Sequence, residues 1–111
     1  MTIPKIGARV RGSTTGRPIM VVLDLLGRRA TLRILWELRG EALTFRVLQA
    51  AADTNPSLLN TRLKELRELE LVEHQGEGYL LTRSGRELID ALQPLSDWAH
   101  HWKRGRARGS P

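Results

Sequence analysis

The segment NPSLLNTRLKELRELELV, residues 55–72, holds the side chains best suited to recognition chemistry. Leu59, Leu63 and Leu66 recur at i, i+4 and i+7, the spacing of an amphipathic helix, so they share one side. The opposite side carries Ser57, Asn60, Thr61 and Lys64. A solvated helix face is usually dominated by Glu and Lys; this one offers a hydroxyl pair, an amide and an amine in its first turns. Such groups bond to base edges or phosphates, and a Thr methyl can touch the methyl of thymine. Asn55, at the start of the helix, can bond a phosphate while closing the turn. A purely structural account stands beside this one: Asn55 and Ser57 cap the helix, and Lys64 pairs with Glu68 at i, i+4. Arg62 lies about 100° from Thr61, where it reaches either a phosphate or backbone inside the domain. Arg46, on the preceding helix, is placed to contact phosphate. Arg28 and Arg29 either approach the same ligand or belong to a solvated turn.

The rest of the chain is organised around that segment. Pro18 opens a helix over residues 18–26, since its fixed φ suits the first turn. That helix carries Ile19, Met20, Val21, Val22, Leu23, Leu25 and Leu26 on all sides, which points to burial against a second chain as well as its own core. Gly27 ends it. A second helix is expected over residues 29–38, with Leu32, Leu35, Trp36 and Leu38 inward. Thr44 and Phe45 form a short extended stretch before a third helix over 45–52 that carries Val47, Leu48 and Ala51. DTNP is a turn, because Pro56 holds Asn55 extended, and the fourth helix then runs from residue 56 to about residue 70. LVEHQGEGYLLT reads as a hairpin over 71–74 and 79–81, with its turn at 76–78. Thr82 caps a last helix running to Trp102. Its positions Leu88, Leu92, Leu95, Ala99 and Trp102 form a heptad-like seam widened by Ile89 and Trp98, with a kink expected at Pro94. Four helices, a hairpin and a helix outline a mainly α winged helix-turn-helix. Its dimerising surface would comprise Ile19, Val22, Leu88, Leu92, Leu95, Trp98 and Trp102.

Composition narrows the function classes. At 111 residues the chain supports one domain. The longest apolar run, residues 19–26, has eight residues with Asp24 among them, far short of the roughly 20 that span a bilayer. With no signal-peptide pattern either, a soluble cytoplasmic protein without membrane partners is expected. Cysteine is absent, which removes disulfides, thiolate catalysis and Cys-ligated zinc. The net charge of +6 is unevenly spread. Residues 1–17 carry Lys5, Arg9, Arg11 and Arg17, and residues 103–111 carry Lys103, Arg104, Arg106 and Arg108, with no acid in either stretch. Residues 18–102 hold ten Lys/Arg against twelve Asp/Glu, a net of −2. The two ends therefore read as flexible basic arms flanking a domain over 18–102, supplying sequence-independent attraction to phosphates or simply solubility.

Other candidate centres resolve into packing. His100 and His101 with Asp97 lack a fourth ligand, and adjacent histidines diverge on a helix, so no metal is expected. Trp36, Trp98 and Trp102 fit core or interface positions better than an effector cavity, and His74 is structural or exposed. No H-E-x-x-H, Gly-rich phosphate loop or paired-carboxylate pattern is present, so neither a catalytic centre nor a cofactor is expected.

LDLLGRRATLRILWELRGEALTF, LLNTRLKELRELELVEH and YLLTRSGRELIDALQPLSDWAHHW, in that order and spacing, resemble the HxlR-type transcriptional regulators of bacteria, relatives of the MarR group. The resemblance spans about residues 20–102. It implies a homodimer held by the first and last helices, binding a pseudo-palindromic operator in double-stranded DNA. Asn55, Ser57, Asn60, Thr61, Arg62, Lys64 and Arg46 are then the candidate DNA contacts. Two recognition helices would enter successive major grooves about 34 Å apart. Two alternatives accompany this reading: an interaction module that has lost specific DNA binding, and a sensor with a small-molecule effector at the dimer interface. The chain departs from the family in three ways. Family members often carry an N-terminal cysteine that senses oxidants or electrophiles, and none is present here. GRRAT replaces the usual G-x-W-T. The hairpin is short, HQGEGY, with Glu77 at a tip where charge repels phosphate.

Overall fold

The computed structural model describes residues 17–107. The expected arms therefore lie largely outside the described residues. The elements are α1 (Pro18–Leu26), α2 (Thr31–Glu37), β1 (Leu43–Thr44), α3 (Phe45–Ala51), α4 (Pro56–Glu68), β2 (Val72–Gln75), β3 (Gly78–Leu81) and α5 (Arg83–Ala107). The anticipated winged helix-turn-helix order is present, with a third strand added. β1 joins the hairpin as an antiparallel edge, giving the order β1-β3-β2. Leu43 stands opposite Tyr79, and Val72 opposite Leu81.

One core joins the helices to the sheet: Leu25 of α1, Ile34 and Leu35 of α2, Leu38, Leu48 of α3, Leu59, Leu63 and Leu66 of α4, Val72, Leu81 and Ile89. The three α4 leucines are at most 2% exposed, as their i, i+4, i+7 spacing requires. One inward assignment is corrected. Leu32 is exposed, because Ile34, Leu35 and Leu38 form the inner stripe of the α2 region. Val47 is exposed too, and Leu48 alone of α3 is fully inside.

Helix ends differ from expectation for identifiable backbone reasons. Gly27 has an ordinary right-handed φ of −77°. The reversal before α2 occurs instead at Ala30, with φ 73°, so α2 starts at Thr31 rather than at residue 29. α4 stops at Glu68 in a Schellman arrangement. Leu71 N–H donates to Leu66 O and Glu70 N–H to Arg67 O, with Glu70 left-handed at φ 58°. α3 ends the same way through Asp53, φ 52°, with Thr54 N–H donating to Gln49 O. α5 runs through Pro94 to Ala107, so residues 103–107 extend the helix rather than form an arm.

Thr82 fixes the start of α5. Its hydroxyl donates to Glu70 O at 2.6 Å and accepts from Gly85 N–H at 3.1 Å, an N-cap that also ties α5 to the end of α4. Gly85 is required there, since a Cβ would overlap the Leu71 carbonyl oxygen.

Candidate nucleic-acid interface

α3 and α4, joined by residues 52–55, make the helix-turn-helix. Each helix is capped by the residue the sequence offers. Thr44 Oγ1 accepts from Val47 N–H at 3.3 Å, and Asn55 Oδ1 accepts from Leu58 N–H at 2.8 Å. Asn55 is exposed and its carbonyl end is committed to the cap, so only its amide N–H2 is available to a ligand.

Ser57, Asn60, Thr61 and Lys64 all lie exposed on the outer side of α4, and Arg46 is exposed on α3. Among the described residues, Asn60 and Lys64 have no side-chain partner, and Lys64 forms no ion pair with Glu68. Thr61 is different: its hydroxyl donates to the backbone oxygen of Ser57 at 3.1 Å.

Arg62 is corrected. It is 8% exposed, with Nε donating to Arg29 O at 2.8 Å and Nη1 paired with Glu65 Oε1 at 2.9 Å. Its position on the wheel is about 60° from Leu59, nearer the leucine stripe than the polar face. Glu65, 4% exposed, also pairs with Arg28 at 3.1 Å, and Arg28 reaches Asp24 at 3.5 Å. Two guanidiniums and two carboxylates thus make a neutral buried cluster that ties α1, the α1–α2 turn and α4 together. The sequence reading missed this cluster. Its signal was an Arg and a Glu at i, i+3, with Arg62 displaced toward the leucine stripe of α4.

Beyond Lys64 the exposed face continues into an open groove of ≈810 Å3 between α4, β2 and the start of α5. Lys64, Arg67 and Arg83 line it, opposed by Glu68, Glu70 and Glu73. Charges of both signs balance, so this groove gives phosphate little net attraction. Arg67 and Arg83 are cations the sequence reading did not single out. On the wing, His74 stacks on Tyr79 at 4.2 Å between ring centroids, and Tyr79 in turn tilts against Phe45 at 6.5 Å. These contacts brace the hairpin against α3, and His74 is accounted for by stacking.

Away from this face, α1 and α5 expose apolar side chains. Ile19, Leu23, Leu95, Trp98 and Trp102 are each more than half exposed. Trp98 and Trp102 stack at 5.7 Å, and the Arg106 guanidinium lies over Trp102 at 5.4 Å. Val22 is half-buried, and Leu88 and Leu92 pack partly against the chain's own core. His100 and His101 turn Nδ1 onto the backbone oxygens of Ser96 and Asp97. Among the described residues no group of three His, Cys, Asp or Glu is placed to hold a metal, and no helix is long and apolar enough to cross a membrane.

A short sheet closing on a two-helix unit, whose second helix presents an exposed polar face, defines a winged helix-turn-helix DNA-binding protein. The chain belongs to the HxlR-like helix-turn-helix family, which matches residues 25–107, and it is a transcriptional regulator of that type. It is similar to an uncharacterised HTH-type transcriptional regulator of Methanocaldococcus jannaschii, with 26% identity over 92 residues, 78% of this chain and 87% of that protein. Among solved structures it is similar to quinone-bound YodB from B. subtilis, with 30% identity, a TM-score of 0.70, and coverage of 75% and 96% of the two chains. A MarR-family transcriptional regulator from Enterococcus faecalis shares the fold at a TM-score of 0.75 and 24% identity, covering 91% and 99%.

Proposed function

We propose that the chain acts in the cytoplasm as a homodimer that binds a pseudo-palindromic operator sequence-specifically, without catalytic activity. One observation carries the reading. The second helix of the helix-turn-helix holds Asn60 and Lys64 exposed and, among the described residues, without partners, while the charged residues of its inner side are bonded into the domain. A polar side chain left unbonded on a firmly held helix is available to an external acceptor or donor. The dimer rests on the apolar stripe of α1 and α5. Exposed Leu95, Trp98 and Trp102 on one helix, with Ile19 and Leu23 on another, form a surface that a second copy would bury.

The acidic wing and the balanced groove leave phosphate attraction chiefly to the basic segments 1–17 and 103–111. Affinity should therefore fall steeply with salt. Removal of residues 1–17 and 108–111 should lower affinity while the preferred sequence stays the same. A mobility-shift titration of Lys64→Glu against operator DNA is the direct test, and unchanged affinity overturns the reading. Leu95→Glu should convert the dimer to monomer in sedimentation velocity.

A second reading, a ligand-responsive regulator, draws on one feature. An apolar groove of ≈500 Å3 lies between α2 and α5, lined by Leu32, Trp36, Leu92, Leu95 and Ala99 with Arg33 and Ser96. It shares Leu92 and Leu95 with the expected dimer surface. Quenching of Trp36 fluorescence by small aromatic ligands, together with release of DNA, would support that reading. The absence of cysteine means that such a ligand could not be held through a thiol adduct.

A further inference from the structure

The four polar side chains on the outer face of α4 are in different hydrogen-bonding states, and those states decide what each can read. Asn60 has both ends of its amide unengaged, so it presents an acceptor and a donor side by side. Adenine offers the matching pair in the major groove, an N6 donor beside the N7 acceptor, and Asn meets it bidentately. Lys64 brings only donors, which suit the O6 and N7 acceptors of guanine. The Thr61 hydroxyl proton is directed to the Ser57 carbonyl oxygen at 3.1 Å. Thr61 therefore has no proton left to donate and presents a methyl group and an oxygen lone pair. A methyl is the partner of the thymine C5-methyl.

Resting on the operator reading above, we propose a division of labour within each half-site: Asn60 specifies adenine, Lys64 specifies guanine, and Thr61 contacts a thymine methyl. The geometry adds a spacing. Asn60 and Lys64 are one turn apart on the same face, about 6 Å of helix rise, and successive base pairs are stacked about 3.4 Å apart. That step is measured along the duplex axis and the groove path between pairs is longer, so with the helix axis following the groove the adenine and guanine lie in neighbouring base pairs. Thr61, adjacent to Asn60, faces a pair next to the adenine. Asn55 cannot meet adenine bidentately, since its carbonyl end holds the helix cap and only its N–H2 donors remain.

Selection of bound duplexes from a random pool by the full-length protein tests this, with wild type, Asn60→Ala, Lys64→Ala, Thr61→Val and Thr61→Ser compared after circular dichroism shows that each is folded. Wild type should return a motif with adenine and guanine in neighbouring base pairs. Asn60→Ala should lose about tenfold preference for the adenine alone, and Lys64→Ala about tenfold for the guanine alone. Thr61→Val, which keeps the methyl, should keep the thymine preference, whereas Thr61→Ser should lose it. A wild-type motif whose every position survives Asn60→Ala and Lys64→Ala overturns the assignment but leaves the operator reading intact. Uniform weakening by Lys64→Ala across all sequences makes Lys64 a phosphate contact and overturns its part. Recovery of no motif by wild type overturns the operator reading itself.

Discussion

The two faces of α4 use the same kinds of residue to opposite ends. On the inner side Arg62 and Glu65 are engaged with each other, with Arg28 and with the Arg29 carbonyl oxygen. On the outer side Lys64, two residues from Arg62, has no partner among the described residues. A charge on a helix thus takes its role from which way the helix is turned, and the leucine stripe sets that turn. The buried cluster holds the reading helix in place; the open face is what the held helix presents.

Breaking the inner side should have the largest effect. Glu65→Ala leaves the two nearly buried guanidiniums with Asp24 as the remaining carboxylate of the cluster among the described residues, and Asp24 pairs with Arg28. Removing one partner of a buried ionic cluster costs about 3–5 kcal/mol, a drop in melting temperature on the order of 20 °C for a domain of this size. Calorimetry measures it, and DNA binding should fail along with the fold. Replacing the pair together, as Arg62→Met with Glu65→Leu, should recover much of that loss, since apolar isosteres of buried ion pairs are often neutral or better. A double variant as unstable as Glu65→Ala would show that Arg28 alone dominates the cluster.

Lys64→Glu makes the opposite cut. The side chain is exposed, so thermal stability should change by less than about 0.5 kcal/mol. Operator affinity should fall roughly a hundredfold, because a favourable base or phosphate contact becomes a repulsion in each half-site. Loss of affinity without loss of stability in Lys64→Glu, against loss of both in Glu65→Ala, is what distinguishes a recognition charge from a structural one.

Periodicity made most of this architecture legible. The α4 leucines, the exposed polar face, the Asn55 and Thr82 caps and the first helix bounds all followed from local rules that the tertiary structure respects. The misassignments share a cause. Arg62 lies toward the flank on the wheel, yet its backbone acceptor at Arg29 is more than 30 residues away in sequence, and periodicity carries no long-range pairing. Leu32 reads as inward because it is apolar, whereas that wheel position belongs to Ile34. Left-handed backbone was sought at glycine, but Ala30, Asp53 and Glu70 supply it while Gly27 does not. The edge strand β1 was hidden because two residues carry no alternation to detect.

Those left-handed positions give the smallest and most local prediction. Glu70 closes α4 at φ 58°, the conformation Gly76 adopts in the wing at the same φ. For any residue with a Cβ this region costs about 1 kcal/mol or more, and glycine avoids that at the expense of a more flexible unfolded chain. Glu70→Gly should therefore stabilise the domain by about 0.5–1 kcal/mol, raising the melting temperature by a few degrees. Glu70 takes part in the hydrogen bonds of this corner through backbone atoms, its N–H to Arg67 and its carbonyl from Thr82, so none is lost. Gly76→Ala should move stability by a similar amount the other way. The substitution at residue 70 also removes one of three carboxylates lining the groove beside Lys64, so DNA affinity should rise modestly at low salt and converge with wild type at high salt. If stability rises and affinity stays flat at every salt concentration, DNA does not approach that end of α4, and the recognition surface is confined to its first two turns.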